Sequence, residues 1–369
     1  MVRLANVRKG STVVLVGTKK GAFVFHSSDR RRWSALGPYC AGLPVYHAIL
    51  DPRDGRTVYL ASLNPGEMWG PGVYRGKVGS APKLTKSAPR YKEGGTLAVK
   101  ALWHLEPGPA DAPDSVLAGV EPAGLFRSDD GGDTWSGYEA LNDYPGRDKW
   151  QPGFGGLCAH SVLVNPKNSK HLVVGISAVG TFESKDGGAT WTPENRNVRA
   201  GFLPNPYPET GQCVHHLVWD SAADGSIFHQ NHCGTYHRGP EGGAWTEITK
   251  GLPSEFGFAI AADPHRKNTA YVTPLVGGEN RVPPKSQLAV WKTSNKGRTW
   301  RRFTGGLPGP GAYMGVLREG MATDSGDPAG VYVGTNTGAL YASRNEGEAW
   351  KPISTTLPPI LSVSAGVVR

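Results

Sequence analysis

The sequence predicts an all-β fold, a seven-bladed β-propeller closed by a C-terminal strand that completes blade one. Three observations predict it: a composition hostile to helices, a short tryptophan-ended segment that recurs at near-constant spacing, and the same order of short apolar runs between its copies. Glycine (51) and proline (30) make up more than a fifth of the 369 residues, against a usual share of about 12%. Both disfavour helix interiors. Charged residues are 19% and apolar residues 38%, a globular balance rather than a disordered one.

The clearest copies of the segment are Ser128-Asp129-Asp130-Gly131-Gly132-Asp133-Thr134-Trp135 and Ser184-Lys185-Asp186-Gly187-Gly188-Ala189-Thr190-Trp191. Weaker copies end at Trp33, Trp245, Trp300 and Trp350. The successive tryptophans from Trp135 onward lie 50 to 56 residues apart, and the double gap from Trp33 to Trp135 places a lost copy near residues 74–86. Gly supplies the positive φ of a tight turn, Asp or Asn bonds to the backbone inside it, and Trp packs back on the outer strands. The pattern S-x-D-x-G-x-T-W is that of the Asp-box, or bacterial neuraminidase repeat.

Between copies the chain repeats its strands. First strands are expected over residues 45–52, 158–166, 213–220 and 258–264, and second strands over 58–62, 116–120, 172–177, 270–273 and 331–335. Third strands carry Gly-small-aromatic, as in Gly124-Leu125-Phe126 and Gly180-Thr181-Phe182. Four short strands per unit of about 40–50 residues is a propeller blade. Residues 12–16 open blade one without an inner strand before them, and residues 360–368 form an inner strand without a blade after it. Pairing the two closes the ring and removes an exposed edge. The expectation is one domain, 1–369, with an N-terminal extension over 1–11 and the closing strand over 360–369.

The repeats, with Trp150-Gln151-Pro152-Gly153, Pro206-Tyr207-Pro208-Glu209 and Gln230-Asn231-His232-Cys233-Gly234, resemble a family of bacterial sialidase-like WD40/YVTN/BNR-repeat propellers that carry loose exo-α-sialidase or glycosyl hydrolase labels. The resemblance spans essentially the whole chain. It implies the fold strongly and the activity weakly, since fold does not imply function. It also implies a small acidic protein of sulfur-carrier type as a partner.

In a propeller, the loops before the inner strands and those after the second strands share one rim, while the Asp-boxes lie on the other and are structural. The shared rim gathers histidines. His160 and His215 occupy matching sites in adjacent blades, and His232 sits at the return loop of the blade that carries His215. Histidine is the commonest metal ligand, so His160, His215 and His232 are expected to hold a divalent transition metal, Zn, Mn or Fe. His47, Glu121, His216 and Arg281 are the expected catalytic groups. Tyr46, Trp69, Trp150, Tyr207 and Asn231 are expected to bind the ligand. The long loops 144–156 and 202–212 read as pocket walls. Cys158 and Cys213 precede His160 and His215 by two residues and read as buried small groups.

Authentic sialidase chemistry is not expected. Three arginines clamp the carboxylate in that chemistry, and no Arg-Ile-Pro occurs; only Arg281 and Arg318 are available at the rim. The net charge of +9 is scattered, with no basic helix or stacking motif, so nucleic acid is not an expected partner. No apolar run approaches the roughly 18 residues of a membrane span, and no leader pattern is evident, so the expected compartment is the cytoplasm. Four cysteines make no disulfide framework. Two functions compete. One is a metal- or His-dependent hydrolase or lyase acting on a small polar or glycan-like ligand. The other is a non-catalytic assembly propeller holding a protein partner on a basic face with Lys19, Lys20 and Arg281.

Overall fold

Strand follows strand through the whole chain. The only α-helix among the described residues is the four-residue Glu139–Asn142. The computed structural model describes residues 5–220, 224–240 and 242–369; residues 1–4 of the expected extension lie outside them. The strands form seven four-stranded antiparallel sheets arranged as a ring, a seven-bladed β-propeller. Blade one combines Thr12–Thr18, Gly21–Ser27 and Ser34–Tyr39 with the C-terminal Ile360–Val367 as its innermost strand. Thr12 opposes Val367 and Val16 opposes Val363 across that closing pair. Blades two to seven begin with inner strands His47–Leu50, Ala101–Pro107, Ala159–Val164, Val214–Trp219, Gly257–Ala262 and Met321–Thr323. No helix among the described residues is long and apolar enough to cross a membrane.

The apolar runs are continuous because each blade is buried on both faces; Thr12–Thr18 is buried at every position. Each neighbouring pair of blades has its own apolar layer. Val13, Leu15, Val58 and Leu60 join blades one and two. Val173, Leu217, Tyr236 and Trp245 join four and five. Val14, Val16, Tyr332 and Val363 join seven to one. The core is therefore a ring of interfaces, and removing any blade exposes two of them.

The repeated turns join third and fourth strands. In blade three, Ser128 Oγ accepts from the Gly132 N–H (2.7 Å) and donates to Asp130 (2.8 Å). Asp130 also accepts from the Thr134 N–H and hydroxyl. Ser184, Asp186, Gly188 and Thr190 repeat this in blade four. In blade six Thr293 and Asn295 take the Ser and Asp places. Gly131, Gly132, Gly187 and Gly188 all have φ between 76° and 100°, which an L side chain resists. Two of the tryptophans tie blades together: Trp245 donates to the Glu194 carbonyl and Trp300 to the Ile248 carbonyl, each on the preceding blade, whereas Trp135 and Trp191 donate to Gly132 and Gly188 within their own turns. In blade two the corresponding turn falls between Gly70–Lys77 and Lys83–Leu84 and lacks the motif.

Candidate functional site

On the rim opposite these turns, blades four to seven enclose a cavity of about 880 Å³. The loop before blade four supplies one wall through Tyr144, Trp150 and Phe154, and the loop before blade five supplies another through Phe202, Leu203 and Glu209. Both loops are rich in Gly and Pro, so they cover the rim without regular backbone pairing. The floor is Phe256 and Phe258 with Cys213, His215, His232, Arg281 and Arg318.

Arg281 and Arg318 approach the same ring. Their guanidinium carbons lie 5.3 and 5.2 Å from the Phe258 centroid. Arg281 Nε donates to the Gly278 carbonyl (2.9 Å) and Arg318 Nη2 to Ser177 Oγ (3.3 Å). Among the described residues neither comes within 4.0 Å of a carboxylate oxygen, and Arg318 Nε is buried without an acceptor. Arg318 also faces the Trp103 ring, whose Nε1 donates to Glu121 (2.9 Å).

Cys213, His215 and His232 offer ligand atoms all within 4.8 Å of one another. His215 Nδ1 lies 2.5 Å from the Gly257 carbonyl. A carbonyl only accepts, so Nδ1 carries the hydrogen and Nε2 keeps its lone pair. Burial, with the Arg318 charge behind it, holds this imidazole well below the ordinary histidine value. Burial also lowers His232 and raises the Cys213 thiol. The His232 ring stands edge-on to Phe202 and Phe256.

His160 is not with this pair. Its Nε2 donates to the Val214 carbonyl of the next blade (3.0 Å) and its Nδ1 meets Ser161 Oγ (3.2 Å). One ring nitrogen is spent on an inter-blade contact and the other on the adjacent Ser161 of its own strand, and the ring is fully buried. Cys213 stands where the sequence led one to expect His160.

His47 and His216 fall in a second place, the central channel. They surround Glu319, which precedes the inner strand of blade seven. Glu319 lies 3.2 Å from His104, 3.5 Å from His216 and 3.8 Å from His47. His104 and His47 stack at 4.3 Å. Burial pulls His104 down, but the carboxylates of Glu319 and Glu106 outweigh it and raise it to about 9. His47 goes the other way, to about 3, through burial and the neighbouring His104 charge. Burial would raise Glu319, yet His216, His104 and His47 hold it well below the carboxylate range. His104 thus stands between two carboxylates, Glu319 and Glu106.

Of the remaining expected site residues, Trp150 and Arg281 line the cavity. Glu121 and Tyr46 gather around Trp103, the Tyr46 and Trp103 rings being 5.5 Å apart. Trp69 and Tyr207 are exposed on the rim, and Asn231 is buried with neither amide atom bonded. Sequence reasoning passed over Phe256, Phe258 and Glu319. The adjacent pair Arg318-Glu319 before an inner strand was the available signal for the last.

No family profile matches the chain. A xyloglucanase from a Paenibacillus species is 28% identical over 286 residues, covering 69% of this chain but 26% of that protein. Among solved structures, the GH74 xyloglucanase of Xanthomonas campestris matches 100% of this chain and 55% of its own, with a TM-score of 0.64 at 19% identity. YCF48 from Cyanidioschyzon merolae matches 85% of this chain and 87% of its own, with a TM-score of 0.52 at 13% identity. The chain thus spans about a quarter of the curated relative and about half of the solved enzyme. At such identities the likeness to solved structures is one of fold: the chain shares its propeller architecture with GH74 xyloglucanases and with YCF48.

Proposed function

We propose that this chain is a propeller enzyme of hydrolase or lyase type, not an authentic sialidase, whose cavity takes a small carbohydrate-like ligand bearing an acid group. The observation that carries this is the pair Arg281 and Arg318, two guanidiniums on one phenyl ring, neither within 4.0 Å of a carboxylate oxygen among the described residues. Guanidinium is weakly hydrated and matches carboxylate geometry in two parallel hydrogen bonds. Held in a cavity walled by Trp150, Phe202 and Phe256, the pair is prepared for an anion with an apolar face. A sugar acid of uronate type has both. The sequence likeness to a xyloglucanase supports the carbohydrate half of the reading. Burial favours the neutral form of His215 and His232, which offers lone pairs beside the acid, to a proton or to a metal ion.

The test is differential binding. Glucuronate is expected to raise the melting temperature of the full chain, and glucose is not. Arg318→Gln removes one charged contact and should weaken glucuronate about 10- to 100-fold. Equal responses to the acid and the neutral sugar, or an unchanged affinity in Arg318→Gln, would refute the proposal. Screening oligosaccharides for new reducing ends or for an unsaturated product then separates hydrolase from lyase.

A second reading, a binding propeller that seats a small acidic protein of sulfur-carrier type, draws on the rim. Seven of the eight large hydrophobic side chains exposed among the described residues lie on this face: Met68, Trp69, Phe154, Phe202, Tyr207, Val276 and Tyr313. Such a rim around a cavity is the composition of an interaction surface. On this reading Met68→Ser with Tyr313→Ser, both exposed on the rim and outside the cavity lining, abolishes partner binding and leaves sugar-acid affinity alone, the reverse of Arg318→Gln.

A further inference from the structure

We infer that Cys213, His215 and His232 form a three-ligand site for a soft or borderline divalent cation, Zn²⁺ in the first place, with its fourth position open to the cavity. The inference goes beyond the sugar-acid reading and does not need it.

Tautomers decide which histidines in this protein can bind a metal. A neutral imidazole ligates only through the nitrogen without hydrogen. In His160 the lone pair sits on Nδ1, which faces Ser161 Oγ rather than the cavity, because Nε2 donates to a carbonyl. In His47, Nδ1 accepts the Leu105 N–H (3.1 Å), so Nε2 carries the hydrogen and points it toward Glu319. In His104 both nitrogens face carboxylates, Glu319 on one side and Glu106 on the other. The channel cluster His47, His104 and Glu319 is compact enough for an ion, but its imidazoles present hydrogens, and it is an ion-pair network.

His215 has the opposite arrangement. Its Nδ1–H is anchored on the Gly257 carbonyl, the second interaction that commonly orients a metal-binding imidazole, and its free Nε2 belongs to the group with Cys213 and His232. No hydrogen bond engages the His232 ring among the described residues. Edge contacts with Phe202 and Phe256, at 5.2 and 4.9 Å, position it while leaving its ring nitrogens unspent. Cys213 and His215 are two residues apart at the start of one inner strand, and His232 follows the second strand that pairs with it, Val214 opposing Asn231. The hairpin itself therefore brings the three together. Separations within 4.8 Å need close by only about 1 Å to suit Zn–S and Zn–N bonds of about 2.3 and 2.0 Å.

The thiol selects the metal. Among Zn, Mn and Fe, a sulfur with two imidazoles suits zinc, whereas Mn prefers oxygen donors. Binding releases the Cys213 proton to solvent and leaves a thiolate–cation pair. One thiolate on a divalent ion leaves a net positive centre. With Arg281 and Arg318 on the same cavity floor, the open position favours an anion over water.

The experiment uses the full chain without a tag, stripped with chelator and titrated with Zn²⁺ and with Co²⁺. One equivalent of zinc per chain is expected, and the cobalt form should show a thiolate-to-cobalt charge-transfer band. Cys213→Ser should abolish that band, and both it and His232→Ala, at a partly buried position, should weaken zinc by more than about 100-fold. Cys40→Ser, in blade one, should retain both. Zinc should also protect Cys213 from alkylation in the unsubstituted protein, a readout that needs no variant. Absence of stoichiometric zinc, persistence of the band in Cys213→Ser, or alkylation of Cys213 at the same rate with and without zinc would overturn the site.

Discussion

The carboxylate of Glu319 controls how the stability of this protein depends on pH, and Glu319→Gln is the perturbation that exposes it. Its partner His104 is buried and raised to about 9, from an ordinary value near 6.5. The folded chain therefore holds a proton that the unfolded chain releases. That contribution is complete below about pH 6.5 and is lost as pH climbs to about 9. Its full size is about 3 kcal/mol, at 1.36 kcal/mol for each pH interval of one. His47 works in the opposite sense. It is neutral in the fold down to about pH 3, so stability rises with pH between about 3 and 6.5. The unsubstituted protein should be most stable near pH 6.5. Urea denaturation followed by tryptophan fluorescence from pH 6 to 9.5 measures this directly. In Glu319→Gln the uncharged amide no longer stabilises the imidazolium, and at least half of the loss between pH 6.5 and 9 should disappear, Glu106 supplying the rest. Buried thiols such as Cys158, pushed up to about 12 by burial, add their own decline at the alkaline end, but equally in both proteins. Parallel stability curves for the two proteins would refute the assignment of the proton to His104.

The remaining predictions concern the frame. Trp191, buried against Tyr138, should cost about 3–5 kcal/mol when replaced by Ala, read as a lower urea midpoint with an unchanged slope. Deleting residues 360–369 exposes the paired edge of Thr12–Thr18 and should convert a cooperative, monodisperse protein into an aggregating one on size-exclusion chromatography. Asp186→Ala removes the acceptor for the Thr190 N–H and hydroxyl and should lower the melting temperature without altering ligand or zinc affinity. Cys158 is fully buried, and it should resist iodoacetamide at pH 8 in the native protein and react on unfolding, as followed by mass spectrometry.

The sequence by itself determined the architecture. Turn chemistry is local: Ser128, Asp130, Gly132 and Thr134 satisfy one another within seven residues, so the motif can be read without knowing anything distant. The spacing of its copies then counts the blades, and the unmatched strands at the two ends predict the closure that Ile360–Val367 makes with Thr12–Thr18. The walls at 144–156 and 202–212 were legible for a similar reason, being long Gly- and Pro-rich insertions in a regular repeat. What a histidine does in the channel or at its mouth was not legible. His160 and His215 hold matching positions in adjacent blades, yet one ring spends both nitrogens on the structure around it and the other anchors one nitrogen and keeps the other free. That difference depends on which ring nitrogen meets the next blade's carbonyl, Nε2 on Val214 for one and Nδ1 on Gly257 for the other. Likewise Glu319 meets histidines from blades two, three and five only because the ring brings seven inner strands to one axis. Local hydrogen bonding encodes the blade. The protonation, pairing and freedom of the site residues arise from long-range packing, and only the tertiary structure decides them.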